Sequence, residues 1–289
     1  MIVSASYRSD IPAFYGDWFR RRRAQGWVTV KSPYGGAAAR VPLAGPEVEG
    51  FVFWTRNPRP FLPVLEELAA ERQPFVLQVT LTGYPRPLER AVPDAEAAIE
   101  SCRDVVRRFG RHALVWRYDP VFLTSLTPPD WQRANFARLA GIFGALTDEA
   151  VLSFAQIYAK TQRNSDAAAK RSGFSWRDPA ADEKRAVLGA LAAIAREHGL
   201  TARLCAQPDL LTDGLEPARC IDAQRLSEIA GREIPAPRSK NRPGCLCAAA
   251  RDIGRYDSCP HGCVYCYAVA SQDAAKRRYR LHDPAAESL

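Results

Sequence analysis

Six short apolar segments rich in Val, Ile, Leu and aromatic residues alternate along this 289-residue chain with longer segments of helical periodicity. This alternation is typical of β/α units arranged around a parallel sheet. The predicted strands are Ile2–Tyr7, Phe51–Thr55, Phe75–Thr82, Ala113–Tyr118, Val151–Ile157 and Ala202–Cys205. The predicted helices are Pro12–Ala24, Pro60–Glu71, Pro93–Phe109, Pro129–Leu146, Ala181–His198 and Asp222–Ile229. We therefore expect an α/β fold in which the units form a partial (β/α)6 barrel similar to a TIM barrel.

The pattern also predicts how the chain is organised. Residues 1–230 contain the six units, and residues 231–289 form a cysteine-rich, cluster-binding cap that we expect to pack on the barrel mouth as part of one folding unit. An inserted hairpin is expected over Trp27–Leu43, with its turn near Tyr34 and the two glycines that follow. The polar segment Lys160–Pro179 is long for a simple connection, which predicts a lid or a substrate loop.

Composition narrows the class of protein. The chain is 47% hydrophobic and 25% charged, which is ordinary globular usage. No apolar run approaches the roughly 18 to 20 residues of a membrane span, and the amino terminus lacks signal-peptide features. We therefore expect a cytoplasmic protein without a membrane partner. In that reducing compartment, eight cysteines, five of them between positions 245 and 266, are better explained as metal ligands than as disulfides.

Cys259, Cys263 and Cys266 follow a C-x3-C-x2-C spacing near the carboxyl end. This spacing supplies three thiolates to one metal site, one ligand short of a tetrahedral set. A zinc site or a structural iron-sulfur cluster is closed by four protein ligands, whereas a cubane held by three thiolates keeps one iron open to a small molecule. His261 lies inside the same run, and we expect it to be an exposed loop residue rather than a ligand.

Four further cysteines form a second candidate set: Cys205, Cys220, Cys245 and Cys247. Four thiolates match a closed site, such as an auxiliary [4Fe-4S] cluster. In the alternative interpretation Cys205 and Cys220 are small buried apolar residues, and only the C-x-C pair assists at a metal. The eighth cysteine, Cys102, lies on a predicted helix face and is expected to pack in the core.

Polar residues gather at the ends of the predicted strands, where the active sites of parallel barrels are found. In the run VWRYDP, for example, Arg117 and Asp119 directly follow apolar strand residues. Two charges at a buried mouth need partners, which they find either in each other at a turn or in a bound ligand. The sequence leaves both alternatives open.

The run CPHGCVYCYA resembles the cluster motif of radical S-adenosylmethionine enzymes, in the form found in spore photoproduct lyase-like proteins. The segments FVFWTRNP, LQVTLTGYPRPLER and VWRYDP are similar to the strand-end segments of that group. Most of the chain also resembles an uncharacterised, DUF1848-like bacterial family with a carboxyl-terminal cysteine cluster. In the ordinary family the motif follows the first strand, whereas here it follows the sixth predicted strand, so the resemblance implies a circularly permuted order.

The resemblance implies a [4Fe-4S] cluster on the cysteine trio, with S-adenosyl-L-methionine bound at the open iron. An electron donor such as flavodoxin or ferredoxin would then allow reductive cleavage and release of a 5'-deoxyadenosyl radical. By the same resemblance Tyr265 lies near the adenine. Arg117, Thr80 and Thr82 are candidates for the methionyl carboxylate or the ribose, on strand-end position alone.

Several substrate classes remain open: a small molecule, a peptide or a nucleic acid. By analogy with photoproduct lyase, a DNA lesion is one alternative. The formal charge of +8 is compatible with an anionic partner, although we favour solvated basic helix faces as its explanation. A different class of function is a zinc-binding basic protein that binds nucleic acid.

Overall fold

The computed structural model describes residues 1–31, 35, 37–238 and 244–289. The strands, in chain order, are β1 (Ile2–Ala5), β2 (Trp27–Val30), β3 (Ala39–Pro42), β4 (Gly50–Thr55), β5 (Phe75–Thr80), β6 (Leu114–Val121), β7 (Leu123–Thr124), β8 (Glu149–Phe154), β9 (Trp176–Arg177), β10 (Thr201–Leu204), β11 (Glu216–Pro217) and β12 (Ala250–Asp252). The helices are α1 (Ile11–Phe14), α2 (Gly16–Ala24), α3 (Leu62–Ala70), α4 (Ala95–Phe109), α5 (Pro129–Phe143), α6 (Ala159–Ser172), α7 (Ala181–Glu197), α8 (Ala223–Ala230) and α9 (Gln272–Arg280).

One parallel sheet of eight strands organises the fold. Its strand order is β11-β10-β8-β6-β5-β4-β1-β12. The first strand therefore lies between β4 and β12, and the pairing of Ile2 with Ala250 sets the register at the β12 edge. The segments next to the two edge strands are also in contact. Ala248, which precedes β12, donates its backbone amide to the carbonyl of Ile221, which follows β11, at 2.9 Å. The α/β class with a large parallel sheet is confirmed.

Side chains on the two faces of the sheet enter different apolar clusters. Phe51, Phe53 and Leu77 lie in the large cluster that includes residues of helices α1 to α7. The opposite face contributes a row of aliphatic residues to a second cluster, packed against the segment between β11 and β12. The row consists of Ile2, Val52, Val76, Val115 and Val151. Strands buried on both faces appear as nearly continuous apolar runs in a sequence, which is why they could be found.

The six predicted strands are all present. Most predicted ends differ from the observed ends by one to three residues; the first, for example, ends at Ala5 rather than Tyr7. Two edge strands, β11 and β12, were not predicted because they have two and three residues. The predicted helix Pro12–Ala24 is divided at Tyr15 into α1 and α2.

The segment Lys160–Pro179 is mostly helical, so the prediction of a loop there is wrong. Residues Ala159–Ser172 form α6, which ends at Gly173 in the left-handed conformation. The amide nitrogen of the Asn164 side chain donates to Val269 O at 3.1 Å, so this helix packs beside the cysteine loop. A mostly exposed helix carries polar residues on much of its surface, and its composition was therefore mistaken for that of a loop.

The predicted hairpin is confirmed, because β2 and β3 pair in antiparallel register from Trp27–Pro42 to Val30–Ala39. Tyr34 and Gly36, assigned to its turn, lie outside the described residues. Among the helices that the structure describes, none combines the length and the apolar character needed to cross a bilayer.

Candidate metal centre

The loop between β12 and α9 carries Cys259, Cys263 and Cys266. Its central part is fixed to the segment that follows β5, because Val264 N donates to Leu88 O at 3.0 Å. The predicted trio is therefore on one loop, at the end of the strand that lies beside β1.

Ser258, directly before the first cysteine, fixes the loop to the segment after β1. Its hydroxyl lies 2.6 Å from that of Ser9, and its carbonyl accepts from the Tyr15 hydroxyl at 2.5 Å. Both Ser9 and Ser258 are buried. The segment after the amino-terminal strand and the carboxyl-terminal loop thus form one site, although Ser9 and Ser258 are 249 residues apart in the sequence.

Two glycines permit the path of this loop. A Cβ on Gly254 would lie 1.9 Å from Ser6 Oγ, so no larger residue fits where the loop passes β1. Gly262, between His261 and Cys263, has φ +78°, a conformation that is unfavourable for residues with a Cβ. The turn inside the cysteine motif therefore depends on glycine.

His261 is buried, and the expectation of an exposed loop residue is wrong. Its Nε2 lies 2.8 Å from Asp10 Oδ2, and its Nδ1 lies 3.3 Å from Ala91 O. Asp10 also accepts hydrogen bonds from Ala13 N at 2.9 Å and Arg56 N at 2.8 Å. Both ring nitrogens of His261 thus have polar partners within the protein.

Of the three thiols, Cys263 is buried, and Cys259 and Cys266 are partly buried. Burial raises the pKa of Cys263 to about 12, against an opposing effect of Arg56. It raises the pKa of Cys259 and Cys266 as well. Cys266 Sγ also accepts a hydrogen bond from Ala268 N at 3.4 Å. Because a metal binds the thiolate form, loading this site would release protons.

A buried polar network lies next to the trio. Arg56 donates to Glu89 Oε1 at 2.7 Å and to the Tyr265 hydroxyl at 2.8 Å. The hydroxyls of Tyr265 and Thr82 both donate to the same Glu89 oxygen. Thr82 is fully buried, and its hydroxyl donates its hydrogen bond to this carboxylate. Glu89 had no predicted role, since a lone glutamate in a loop gives no sequence signal of burial.

A second buried ion pair joins β12 to the segment after β1. Arg8 Nη2 lies 2.8 Å from Asp252 Oδ1, and the Asp252 carboxylate also accepts from Ser4 Oγ at 2.7 Å and Ser6 Oγ at 2.9 Å. These contacts hold the strand that leads into the cysteine loop against its neighbour.

The second predicted cysteine set is also brought together. The Sγ atoms of Cys205 and Cys220 lie 3.5 Å apart, and Cys247 is hydrogen-bonded to both Cys220 and Cys245. Arg117 belongs to this group rather than to the trio, because its Nη1 donates to Cys220 Sγ at 3.0 Å. It also forms the ion pair with Asp119 that the sequence left as one of two alternatives.

Within the second set, the surroundings lower the pKa of one thiol, Cys245, and raise the pKa of another, Cys220. The hydrogen bond from Cys247 lowers the pKa of Cys245 to about 6. The hydrogen bond with Cys205 lowers the pKa of Cys220, but its bond with Cys247 and burial outweigh this and raise it to about 11. Among the residues that the structure describes, no group of three or more His, Cys, Asp or Glu side chains is arranged around the position of a metal ion.

One cavity of about 960 Å³ connects the two cysteine groups. All seven cysteines of the two groups line it. Tyr265, Thr80 and Arg117, among the predicted cofactor-binding residues, line it as well. Thr82 does not line it. Cys102 is buried in the main core, as predicted, on α4.

The sequence profile of a family described as a domain of unknown function, DUF1848, matches residues 2–268. This chain belongs to the DUF1848 family. The matched residues include β1, the sheet and both cysteine groups, and end two residues after Cys266. A search of curated proteins found no match for this DUF1848 protein.

Proposed function

We propose that this DUF1848 protein is a radical S-adenosylmethionine enzyme. Cys259, Cys263 and Cys266 hold a [4Fe-4S] cluster at three of its irons, and the fourth iron is the position for S-adenosyl-L-methionine. The substrate on which the radical acts is a small molecule, a peptide or a nucleic acid, and a flavodoxin or ferredoxin is a suitable electron donor.

The observation that carries this proposal is the engagement of His261, the potential fourth ligand inside the cysteine motif. His261 is the other residue between Cys259 and Cys266 with metal-binding chemistry, and both of its ring nitrogens already have partners in Asp10 and Ala91. Three thiols with an occupied histidine suit a cluster with one open iron better than a closed tetrahedral zinc site.

The topology supports the permuted order. β12, the cysteine loop and α9 follow each other as strand, loop and helix, and β12 pairs in parallel with β1 at the sheet edge. The resemblance to radical S-adenosylmethionine enzymes expects a strand, a cluster loop and a helix at the start of the barrel. Here the last strand, loop and helix of the chain would take that first place, beside the partial (β/α)6 barrel of the six preceding units, which gives a permuted order.

The cluster supplies one-electron reduction of the sulfonium, and the chain supplies positioning and exclusion of water. Tyr265 precedes the third cysteine, and its hydroxyl is fixed between Arg56 and Glu89. This fixed ring is our candidate for the adenine contact. Cations and amide donors near the sulfurs, such as Arg56 and Ala268 N, favour the reduced and more negative form of the cluster.

Thr80 lines the cavity and stays a candidate for the ribose or carboxylate of S-adenosyl-L-methionine. Thr82 acts one step further away, since its hydroxyl is used by Glu89 and not exposed to the cavity. Arg117 lies at the other cysteine group, where its contact with Cys220 gives it a different role.

Anaerobic reconstitution with iron and sulfide, followed by dithionite and S-adenosyl-L-methionine, tests the proposal. We expect 5'-deoxyadenosine from the wild-type protein and from Cys102→Ala, which removes a buried thiol outside both groups. Cys263→Ala should produce at least about a hundredfold less, because two thiolates do not hold the cluster. Production of 5'-deoxyadenosine by Cys263→Ala, or none by a cluster-loaded wild-type protein, would reject the proposal.

A further inference from the structure

The second cysteine group is assembled from three separate parts of the chain. Cys205 directly follows β10, Cys220 lies between β11 and α8, and Cys245 and Cys247 precede β12. Nevertheless the thiols form a continuous series of contacts, in which Cys220 touches Cys205 and Cys247, and Cys247 touches Cys245. Four thiols from distant segments meet at one place, which ordinary core packing does not require.

Most of the surroundings of this group are apolar. Ala218, Ile221, Ile234 and Ala248 belong to the same buried cluster as Cys220 and Cys247. If the thiols were only small core residues, alanine or valine would serve equally well at these positions. The contact of Cys220 with the guanidinium of Arg117 argues against that interpretation.

Arg117 brings a charged guanidinium into this apolar region and is only 4% exposed. Its Nη1 donates to Cys220 Sγ at 3.0 Å and to Gln78 Oε1 at 3.2 Å, and its Nη2 pairs with Asp119. A neutral thiol is a weak acceptor and is a poor partner for a buried cation. A thiolate that belongs to an anionic metal centre is a good partner, because the hydrogen bond is then charge-assisted.

We infer that Cys205, Cys220, Cys245 and Cys247 hold a second [4Fe-4S] cluster, closed by four thiolates, with Arg117 as a hydrogen-bond donor to the Cys220 sulfur. This inference does not rest on the proposed function, since the second site would exist whether or not the trio cleaves S-adenosyl-L-methionine.

A cluster suits the group better than a single zinc ion. The four sulfurs form a chain of thiol contacts, from Cys205 through Cys220 and Cys247 to Cys245, rather than a shell around one ion. A cubane takes its four cysteines at separate corners and is larger than one ion, so the Cys205–Cys220 contact would open on loading. The adjacent 960 Å³ cavity provides the space.

The two centres would then share a chamber, because both cysteine groups line the same cavity. Arg117 and Asp119 lie in its lining with Cys205 and Cys220, whereas Arg56 and Tyr265 lie in its lining with the trio. Each centre therefore has its own buried arginine, and a change at one arginine is expected to affect one set of spectra.

The test separates the two centres by mutation. After anaerobic reconstitution, the wild-type protein and Cys102→Ala should each bind about eight iron atoms per chain, and the triple variant Cys259→Ala/Cys263→Ala/Cys266→Ala about four, as a [4Fe-4S] cluster. The quadruple variant at Cys205, Cys220, Cys245 and Cys247 should also keep about four, at the trio. Circular dichroism establishes that each variant is folded.

Arg117→Met supplies a second readout if the quadruple variant does not fold. In the background of the triple variant it should lower the reduction potential of the remaining cluster, because a cation that stabilises the reduced form is lost. Arg117→Lys should recover part of the shift. A folded triple variant that binds zinc, or that binds no iron and sulfide, would overturn the inference. An unchanged reduction potential in Arg117→Met would overturn it as well.

Discussion

Nε2 of His261 lies 2.8 Å from Oδ2 of Asp10, and this contact joins the middle of the cysteine motif to the segment that follows the first strand. Asp10 begins α1 by accepting from Ala13 N and also accepts from Arg56 N. One buried carboxylate therefore connects α1, the end of β4 and the cysteine loop.

The contact predicts that Asp10→Asn destabilises the protein and weakens its metal site. An amide keeps the shape, but its NH2 group replaces an oxygen that accepts from Ala13 N or from Arg56 N. We therefore expect a loss of about 2 to 3 kcal/mol in the free energy of unfolding. Urea denaturation measures it, and reconstitution should give less iron per chain. Asp17→Asn, at an exposed position in the first turn of α2, is the control and should change stability by less than about 0.5 kcal/mol. Equal effects of the two changes would contradict this role of Asp10.

The Arg56–Glu89 pair is expected to be strongly coupled. Arg56→Met leaves the Glu89 carboxylate buried without its cation, which costs about 3 to 5 kcal/mol. Arg56→Met/Glu89→Gln should be less destabilised than the sum of the single changes, with a coupling energy of about 2 to 3 kcal/mol in a double-mutant cycle. The exposed pair Arg20–Glu67 should give less than about 1 kcal/mol in the same measurement. Additive effects at Arg56 and Glu89 would contradict a buried network beside the trio.

The raised pKa of the buried Cys102 thiol predicts that the protein loses stability at alkaline pH. Burial raises the pKa of its thiol to about 12 in the folded protein, whereas an unfolded thiol ionises near 8.5 to 9. Between these values the unfolded chain has lost a proton that the folded chain keeps, so the contribution is complete below about pH 9 and is lost as the pH rises toward 12. The stability advantage of the wild type over Cys102→Ala should narrow by about 1.4 to 1.9 kcal/mol between pH 8 and pH 10. Urea denaturation at both pH values measures this, and parallel curves for the two proteins would contradict it.

The β/α order was predictable because a parallel strand covered on both faces is apolar at almost every position. β12 was not, because Ala250–Asp252 is short and partly charged and becomes a strand only through its pairing with β1, about 250 residues earlier. The position of the cysteine loop next to the first strand depends on this pairing.

The structure brings the second predicted cysteine group into contact. The sequence predicts this group from the number of cysteines, and the trio from its C-x3-C-x2-C spacing. It did not identify the burial of His261 or the role of Glu89, because each is set by partners elsewhere in the chain. Arg117 lies inside β6 rather than at its end. Its sulfur contact is with Cys220, on a segment that no local pattern connects to β6.

The most direct test of the open iron is electron paramagnetic resonance of the reduced, reconstituted protein with isotopically labelled S-adenosyl-L-methionine. In the quadruple variant that lacks Cys205, Cys220, Cys245 and Cys247, the signal arises from the trio alone. We predict that S-adenosyl-L-methionine labelled with ¹⁵N at the amino group or ¹⁷O at the carboxylate gives a hyperfine coupling to the cluster. A reduced cluster whose spectrum is unchanged by S-adenosyl-L-methionine, with no coupling to either label, would contradict a cubane held by Cys259, Cys263 and Cys266 with one iron open.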